Sequence, residues 1–145
     1  MPGITNPAEP FFKDGVWGWD GSDWQKAGIF LNYSDRYAVN LGQVGVAGGL
    51  YSATSGAVPA GKVYVINSVS MNNQTGARGA AVVHFRVAGL YATVAFTLAP
   101  LQYEPTVWNG AVALKQGDFI QVQQLATVAG DTIIACGLGY IVELT

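Results

Sequence analysis

The sequence predicts an all-β protein: an antiparallel β-sandwich preceded by an aromatic-rich N-terminal arm with a short hairpin. Three observations predict it. From Gly28 onward, apolar and polar residues alternate with the period of two that half-buried strands require. Clusters of turn-forming residues break this pattern at short, regular intervals, as in sandwiches and barrels. No run places apolar residues at helical spacing behind a cap, so helix should be minor. The 145 residues suit one domain with a sizeable core. Half of them (50%) are hydrophobic and 12% are aromatic, which excludes a disordered chain. Only 11% are charged, against roughly 25% in an average globular domain.

Residues 1–27 are set apart as an arm, and 28–145 as the sandwich. The arm holds Pro2, Pro7, Pro10, Phe11, Phe12, Trp17, Trp19 and Trp24. Asp20-Gly21 is a type I′ turn signal, so Val16–Trp19 and Trp24–Ala27 read as the two sides of a hairpin. A two-stranded hairpin is marginal by itself, so it must lean on the main domain or on another chain.

Strands are then expected at 29–34, 37–46, 50–57 and 62–71, followed by 82–87, 91–98, 106–114, 118–126 and 134–144. In the 91–98 segment, Ala92, Val94, Phe96 and Leu98 share one face by simple alternation, and Tyr91, Thr93, Ala95 and Thr97 the other. In the last segment Ile134, Cys136, Leu138, Tyr140, Val142 and Leu144 share a face, with Ala135, Gly137 and Gly139 opposite. Breaks fall at Gly56–Gly61, Asn72–Gly79, Pro100–Pro105, Lys115–Asp118 and Ala129–Asp131. Pro59 has no N–H to give to a central ladder, so Val58-Pro59-Ala60-Gly61 is a loop or strand start.

The search for catalytic chemistry finds little, and the chain is read as a non-enzyme. The one histidine, His84, lies mid-strand with Arg86 on the same face, where a packed or surface role is expected. There is no Gly-x-Ser-x-Gly elbow, no phosphate-binding loop and no paired cysteine. One His and one Cys make too few ligands for a zinc site, so no metal and no cofactor are expected. Cys136 reads as a small buried hydrophobe. Asp14, Asp20 and Asp23, near the tryptophans, are read first as turn residues, with calcium and sugar as the other uses of such a cluster. Asp118 and Asp131 follow Gly and precede apolar strands, again as turn residues.

A formal net charge of -2 argues against nucleic acid as a partner, because phosphate contacts need clustered Lys and Arg. No apolar run approaches the ~18 residues of a membrane helix. No basic stretch leading into an apolar run opens the sequence, so no secretory signal is expected. What remains is an excess of large rings. Phe11, Phe12, Trp17, Trp19 and Trp24 either cover the β-domain as a lid or serve as protein-interface residues against a neighbouring subunit or a larger surface. Trp17, Trp19 and Trp24 are also the residues a carbohydrate-binding module would use as a stacking platform, with Asp20 and Asp23 taking sugar hydroxyls. Trp108 reads as core. Gln121, Gln123 and Gln124, with Thr93, Thr97, Ser68 and Ser70, give outward faces of amide and hydroxyl, which pack against protein without desolvating charge.

Two segments carry a resemblance. Val58-Pro59-Ala60-Gly61-Lys62-Val63-Tyr64-Val65-Ile66 leads into a strand, and Leu114-Lys115-Gln116-Gly117-Asp118-Phe119-Ile120-Gln121-Val122 turns into another. Together they resemble the jelly-roll modules of tailed-phage virion structural proteins. Trp19-Asp20-Gly21-Ser22-Asp23-Trp24-Gln25-Lys26 and Tyr33-Ser34-Asp35-Arg36 are similar to a segment of small phage structural proteins of that kind. The resemblance implies a jelly-roll that is homotrimeric as a rule and displayed on a capsid or tail, with no catalytic residues. The sequence has no coiled-coil or β-helix shaft, which favours a decoration or cement protein bound to the major capsid protein over a complete long fibre. The receptor-binding tip of a tail or head fibre is the alternative. The expected location is then the virion, after synthesis in a host cytoplasm, with a glycan as a further possible partner.

Overall fold

The computed structural model describes residues 17–19, 24–26 and 33–144, of which 17–19, 24–26, 33 and 34 are described by backbone alone. Among the described residues eleven strands follow one another: β1 (Trp17–Trp19), β2 (Trp24–Lys26), β3 (Tyr33–Asn40), β4 (Gln43–Val44), β5 (Gly49–Thr54), β6 (Lys62–Asn73), β7 (Ala81–Val87), β8 (Leu90–Thr97), β9 (Thr106–Leu114), β10 (Phe119–Thr127) and β11 (Thr132–Glu143). β1 and β2 pair antiparallel, with Trp19 opposite Trp24. Phe11, Phe12 and the turn itself lie outside the described residues.

The rest forms two packed antiparallel sheets. One runs β3-β11-β6-β9, with β4 added on β11, and the other runs β5-β10-β7-β8. The first strand of the sandwich therefore lies beside the last, and the chain passes repeatedly from one sheet to the other. That order is two interlocked Greek keys, a jelly-roll.

The two motif loops meet. Val58 donates its N–H to the Asp118 carbonyl at 2.9 Å and accepts from Gly117 N at 3.0 Å. The Asp118 carboxylate accepts from the Lys115 N–H and from the Ala88 N–H, both at 2.9 Å. Its expected turn role is thus present, and it also anchors the β7–β8 turn. That turn is Ala88-Gly89, with φ of 50° and 81°, the all-positive geometry of a two-residue hairpin.

The core consists mainly of Ile66, Val69, Met71, Phe85, Leu114, Ile120, Val122 and Ile133. Trp108 packs against it and meets Phe85 edge-on at 4.7 Å, as the core reading expects. On β11 the small residues face inward. A Cβ on Gly137 would come within 2.8 Å of Ile120 Cδ1, and one on Gly139 within 2.0 Å of the Val65 carbonyl oxygen. Large core side chains and a close strand leave no room there, so Ile134, Cys136 and Leu138 point out.

Several boundaries differ from expectation, each for a local reason. The strand expected over 37–46 breaks after Asn40, whose Oδ1 accepts the Gly42 N–H at 2.9 Å. Gly42 passes within 2.5 Å of the Ile133 oxygen, measured from where a Cβ would sit. Residues 29–32 of the first expected strand lie outside the described residues, and β3 starts at Tyr33. The alternation of 91–98 is not continuous. The β7–β8 register jumps from His84↔Thr93 to Val83↔Ala95, so Val94 is a bulge. Ala92 and Val94 lie on the inward side before it, and Ala95 and Thr97 after it. Phe96 and Leu98 are thereby turned outward and stand 58% and 76% exposed.

Candidate interaction surface

The outward face of the five-stranded sheet carries little charge among its described residues. Its rows follow from the register. Cys136 lies beside Ser70 and Asn40, Leu138 beside Ser68 and Ala38, Tyr140 beside Val65 and Arg36, and Val142 beside Val63. Val107 and Asn109 of β9 continue the rows of Ser70 and Ser68. Ile134, Leu138 and Val107 are 45%, 47% and 43% exposed. Val63, Val65 and Val142 form a second small cluster with Tyr140, separate from the main core. Among the described outward positions of β3, β11, β6 and β9, Arg36 is the one charged residue. The Lys62–Glu143 pair, 3.6 Å apart, closes the end of the sheet. Beside it lies an apolar groove of about 420 Å³ between Val63, Ala113, Val142 and Leu144, with Lys62 and Lys115 at its rim.

A sheet face turned to water ordinarily alternates polar residues outward. Here isoleucine, leucine, valine and alanine take those positions, with Ser68, Ser70 and Asn109 between them. Cys136 belongs to this face. It is half-buried, and its Sγ lies 3.6 Å from Ser70 Oγ. The expectation of a thiol inside the core is therefore corrected: the inward places on β11 go to Ala135 and Gly137, and the thiol packs beside a hydroxyl on the outer surface.

The outward face of the four-stranded sheet has a different chemistry. A polar stripe crosses it: Thr93 Oγ1 lies 3.0 Å from His84 Nδ1, and His84 Nε2 lies 3.2 Å from Gln123 Oε1. In the next register, Gln121 Nε2 donates to Ser52 Oγ at 2.9 Å. His84 thus bridges Thr93 and Gln123 across the stripe through its two ring nitrogens. Below the stripe, the Arg86 guanidinium stacks over Tyr91 and Phe119, 5.1 and 5.6 Å from the ring centres. His84 is thus the surface polar residue expected, with Arg86 on the same face. Gln121, Gln123 and Thr93 face outward as predicted, as do Ser68 and Ser70 on the other sheet.

Gln124 and Thr97 do not. Gln124 is fully buried, and its Nε2 donates to the Gly79 carbonyl at 2.7 Å. Thr97 pairs with Thr106 through their hydroxyls at 2.7 Å. Gln124 follows Gln123, so alternation alone puts one of the two inside. Thr97 turns inward because of the Val94 bulge.

A buried ionic clamp escaped the sequence reading. Asp131 is 1% exposed. Its carboxylate accepts from Arg78 Nε and Nη2, both at 2.6 Å, from Asn73 Nδ2 at 3.0 Å and from the Val128 N–H at 2.9 Å. The Arg78 guanidinium above all, then the Val128 and Asn73 donors, hold the Asp131 carboxyl well below its ordinary range against the opposing effect of burial. The turn role read from Gly130-Asp131 is the Val128 bond. Nothing in sequence spacing pairs residue 131 with residue 78, since the sheet order brings those loops together. The clamp ties the connections before β7 and before β11 and serves the fold.

Among the described residues, no three His, Cys, Asp or Glu side chains come together as a metal site would need. Of the arm residues singled out by sequence, Trp17, Trp19 and Trp24 are placed by their backbones in the β1–β2 hairpin, while Phe11, Phe12, Asp14, Asp20 and Asp23 lie outside the described residues.

No family model matches the chain, and no curated protein matches it. Among solved structures, several are similar at low identity, three of which follow. The Drosophila NLP-core, whose structure concerns pentamer formation and histone binding, is 16% identical, with 76% of this chain and all (100%) of that chain covered at a TM-score of 0.41. A Paenibacillus sp. cycloisomaltooligosaccharide glucanotransferase is 15% identical, covering 80% of this chain and 19% of that one, at a TM-score of 0.25. The infectious bursal disease virus Gt strain structure is 10% identical over 89% of this chain and 46% of that one, at 0.17. The fold and surface described above therefore rest on this chain's own sequence and geometry.

Proposed function

We propose that the protein is a structural subunit of a tailed-phage virion, a homotrimeric jelly-roll that decorates or cements the outer capsid shell. The observation that carries the reading is the outward face of the five-stranded sheet, where among the described residues Arg36 is the single charge beside Ile134, Leu138, Val107 and their small polar neighbours. Such a face docks on protein without stripping water from ions. Each Å² of apolar surface buried there contributes about 25 cal/mol before ordering costs are met. Many copies on one shell supply avidity, so each contact can be modest. The reading also accounts for a composition with only 11% charge.

The test is a cryo-EM map of particles assembled with this chain, beside particles assembled with Leu138→Glu. The expected result is jelly-roll density on the shell with the five-stranded sheet turned toward a protein neighbour, and loss of that density in the variant. Native particles without it, or with that sheet facing solvent, would sink the proposal.

A second reading is a glycan-binding surface. The polar stripe of Thr93, His84, Gln121, Gln123 and Ser52 beside the Tyr91 ring favours it, since sugars take hydrogen bonds on their edges and aromatic rings on their faces. A glycan array decides: saturable binding lost in Tyr91→Ala supports it, binding lost in Trp19→Ala instead returns the site to the arm, and silence removes it.

A further inference from the structure

The sandwich has two flanks where its sheets end, and they differ. On one flank β8 and β9 are the last strands of their sheets, and on the other β5 and the β3–β4 pair are. The chain from Leu90 to Val107 runs along the first flank and carries one charge, Glu104, whose carboxylate is occupied in accepting the Leu101 N–H at 2.7 Å. Six large apolar side chains stand out from this stretch. Leu90, Tyr91, Phe96, Leu98, Leu101 and Tyr103 are 75%, 53%, 58%, 76%, 67% and 61% exposed.

Two features of this strip are unusual for a surface in water. Edge strands are normally guarded by lysine, proline or shortness, because their outer N–H and C=O groups invite pairing. β8 has eight residues, Leu-Tyr-Ala-Thr-Val-Ala-Phe-Thr, with no charge and no proline. At roughly 200 Å² for a large side chain, the six leave on the order of 800 Å² accessible. That matches the about 800 Å² that each partner gives to a standard protein interface.

We infer that this flank is the interface between copies of this chain, and that it docks head-to-tail on the opposite flank of the next copy. The inference rests on the assembly reading above and names its subunit contact. The opposite flank offers what a head-to-tail contact needs. β5, Gly49–Thr54, is a second edge strand without charge and its Leu50 is 58% exposed, Val44 of β4 is 78% exposed, and the neighbouring β3 adds the exposed Asp35 and Arg36. Two unlike flanks on one molecule close into a ring when copies repeat by rotation, which is how a heterologous contact builds a trimer. A contact made flank to flank leaves the outward face of the five-stranded sheet free for the shell.

The experiment uses the full chain and light scattering. Leu98→Glu spoils one flank and Leu50→Glu the other, both at exposed positions, and Leu101→Glu repeats the first at a second place. Circular dichroism and melting establish that each variant keeps the native fold. The native chain should run at about three times 15.2 kDa. Each variant alone should run as a 15.2 kDa monomer. An equimolar mixture of Leu98→Glu and Leu50→Glu should give a species of twice that mass, since each variant keeps the flank the other lacks. Two variants that stay monomeric on mixing would overturn the inference, because the flank then serves a different partner. Variants that keep the native mass would overturn it while leaving the trimer standing. A monomeric native chain would overturn both the ring and the trimer, and shell binding would remain to be judged from the particle map.

Discussion

Gly139→Ala should cripple the fold. β11 and β6 pass so closely at this point that an added Cβ would lie 2.0 Å from the Val65 carbonyl oxygen, 2.9 Å from its carbon and 3.0 Å from Ile66 Cα. All three are backbone atoms, so no side chain can swing aside. Reaching ordinary contact at 3.4 Å requires the strands to part by 3.4 minus 2.0, or 1.4 Å. A shift of that size stretches the ladder bonds on both sides of the β6 bulge, where the register moves from Leu138↔Ser68 to Gly139↔Ile66. Two or three backbone bonds at about 1 kcal/mol each, with overpacking strain of about 1–3 kcal/mol, give a loss of about 3–6 kcal/mol. Native domains have only about 5–15 kcal/mol in all. Urea unfolding followed by tryptophan fluorescence measures the loss as a lower midpoint. Gly137→Ala is the companion. Its Cβ would meet only Ile120 Cδ1 at 2.8 Å and Val39 Cγ1 at 3.1 Å, the tips of side chains, and should cost about 1–3 kcal/mol. A Gly139→Ala protein that loses less than ~1 kcal/mol, or less than Gly137→Ala, would refute the reasoning.

Three more expectations follow from particular contacts. The Asp131 carboxyl is held below its ordinary value of 3.8, so its contribution to stability is present above that pH and lost as the pH falls further; Asp131→Asn should flatten the fall in urea midpoint below pH 4, and an unchanged slope would show that the clamp is not its source. Ala88 has a φ of 50° before Gly89, a left-handed conformation that asparagine tolerates better than alanine, so Ala88→Asn should raise stability by about 0.5–1 kcal/mol in thermal melts, and a lower melting point would contradict the turn assignment. Cys136 faces outward beside Ser70, so a maleimide should label it under native conditions and Cys136→Ser should change stability by less than about 1 kcal/mol; labelling that needs denaturant would place the thiol inside.

Much of the fold was legible because it rests on local chemistry. Gly117-Asp118 and Gly130-Asp131 mark turns whose conformations their own residues favour, and the carboxylate bonds of Asp118 and Asp131 within those turns follow from them. The alternation of 134–144 grouped the faces of β11 correctly, yet could not say which face is the core. Size misleads there: the larger residues point out, because Ile120, Val39 and the Val65 backbone already fill the inner space. The bulge at Val94 was equally invisible, since an unpaired residue exists only relative to its partner strand. It sends Phe96 and Leu98 to the surface, and the apolar flank depends on it.

By itself the sequence determined the all-β class, the turns, the scarcity of charge and the aromatic arm, since composition, period and turn propensity act within a few residues. Only the tertiary structure decided where the apolar excess lies. The jelly-roll order brings strands distant in sequence into register, and the core holds a fixed volume of side chains. Once Ile66, Phe85, Ile120 and their neighbours fill it, Ile134, Leu138, Phe96 and Leu98 must stay outside, where they form surfaces suited to another protein.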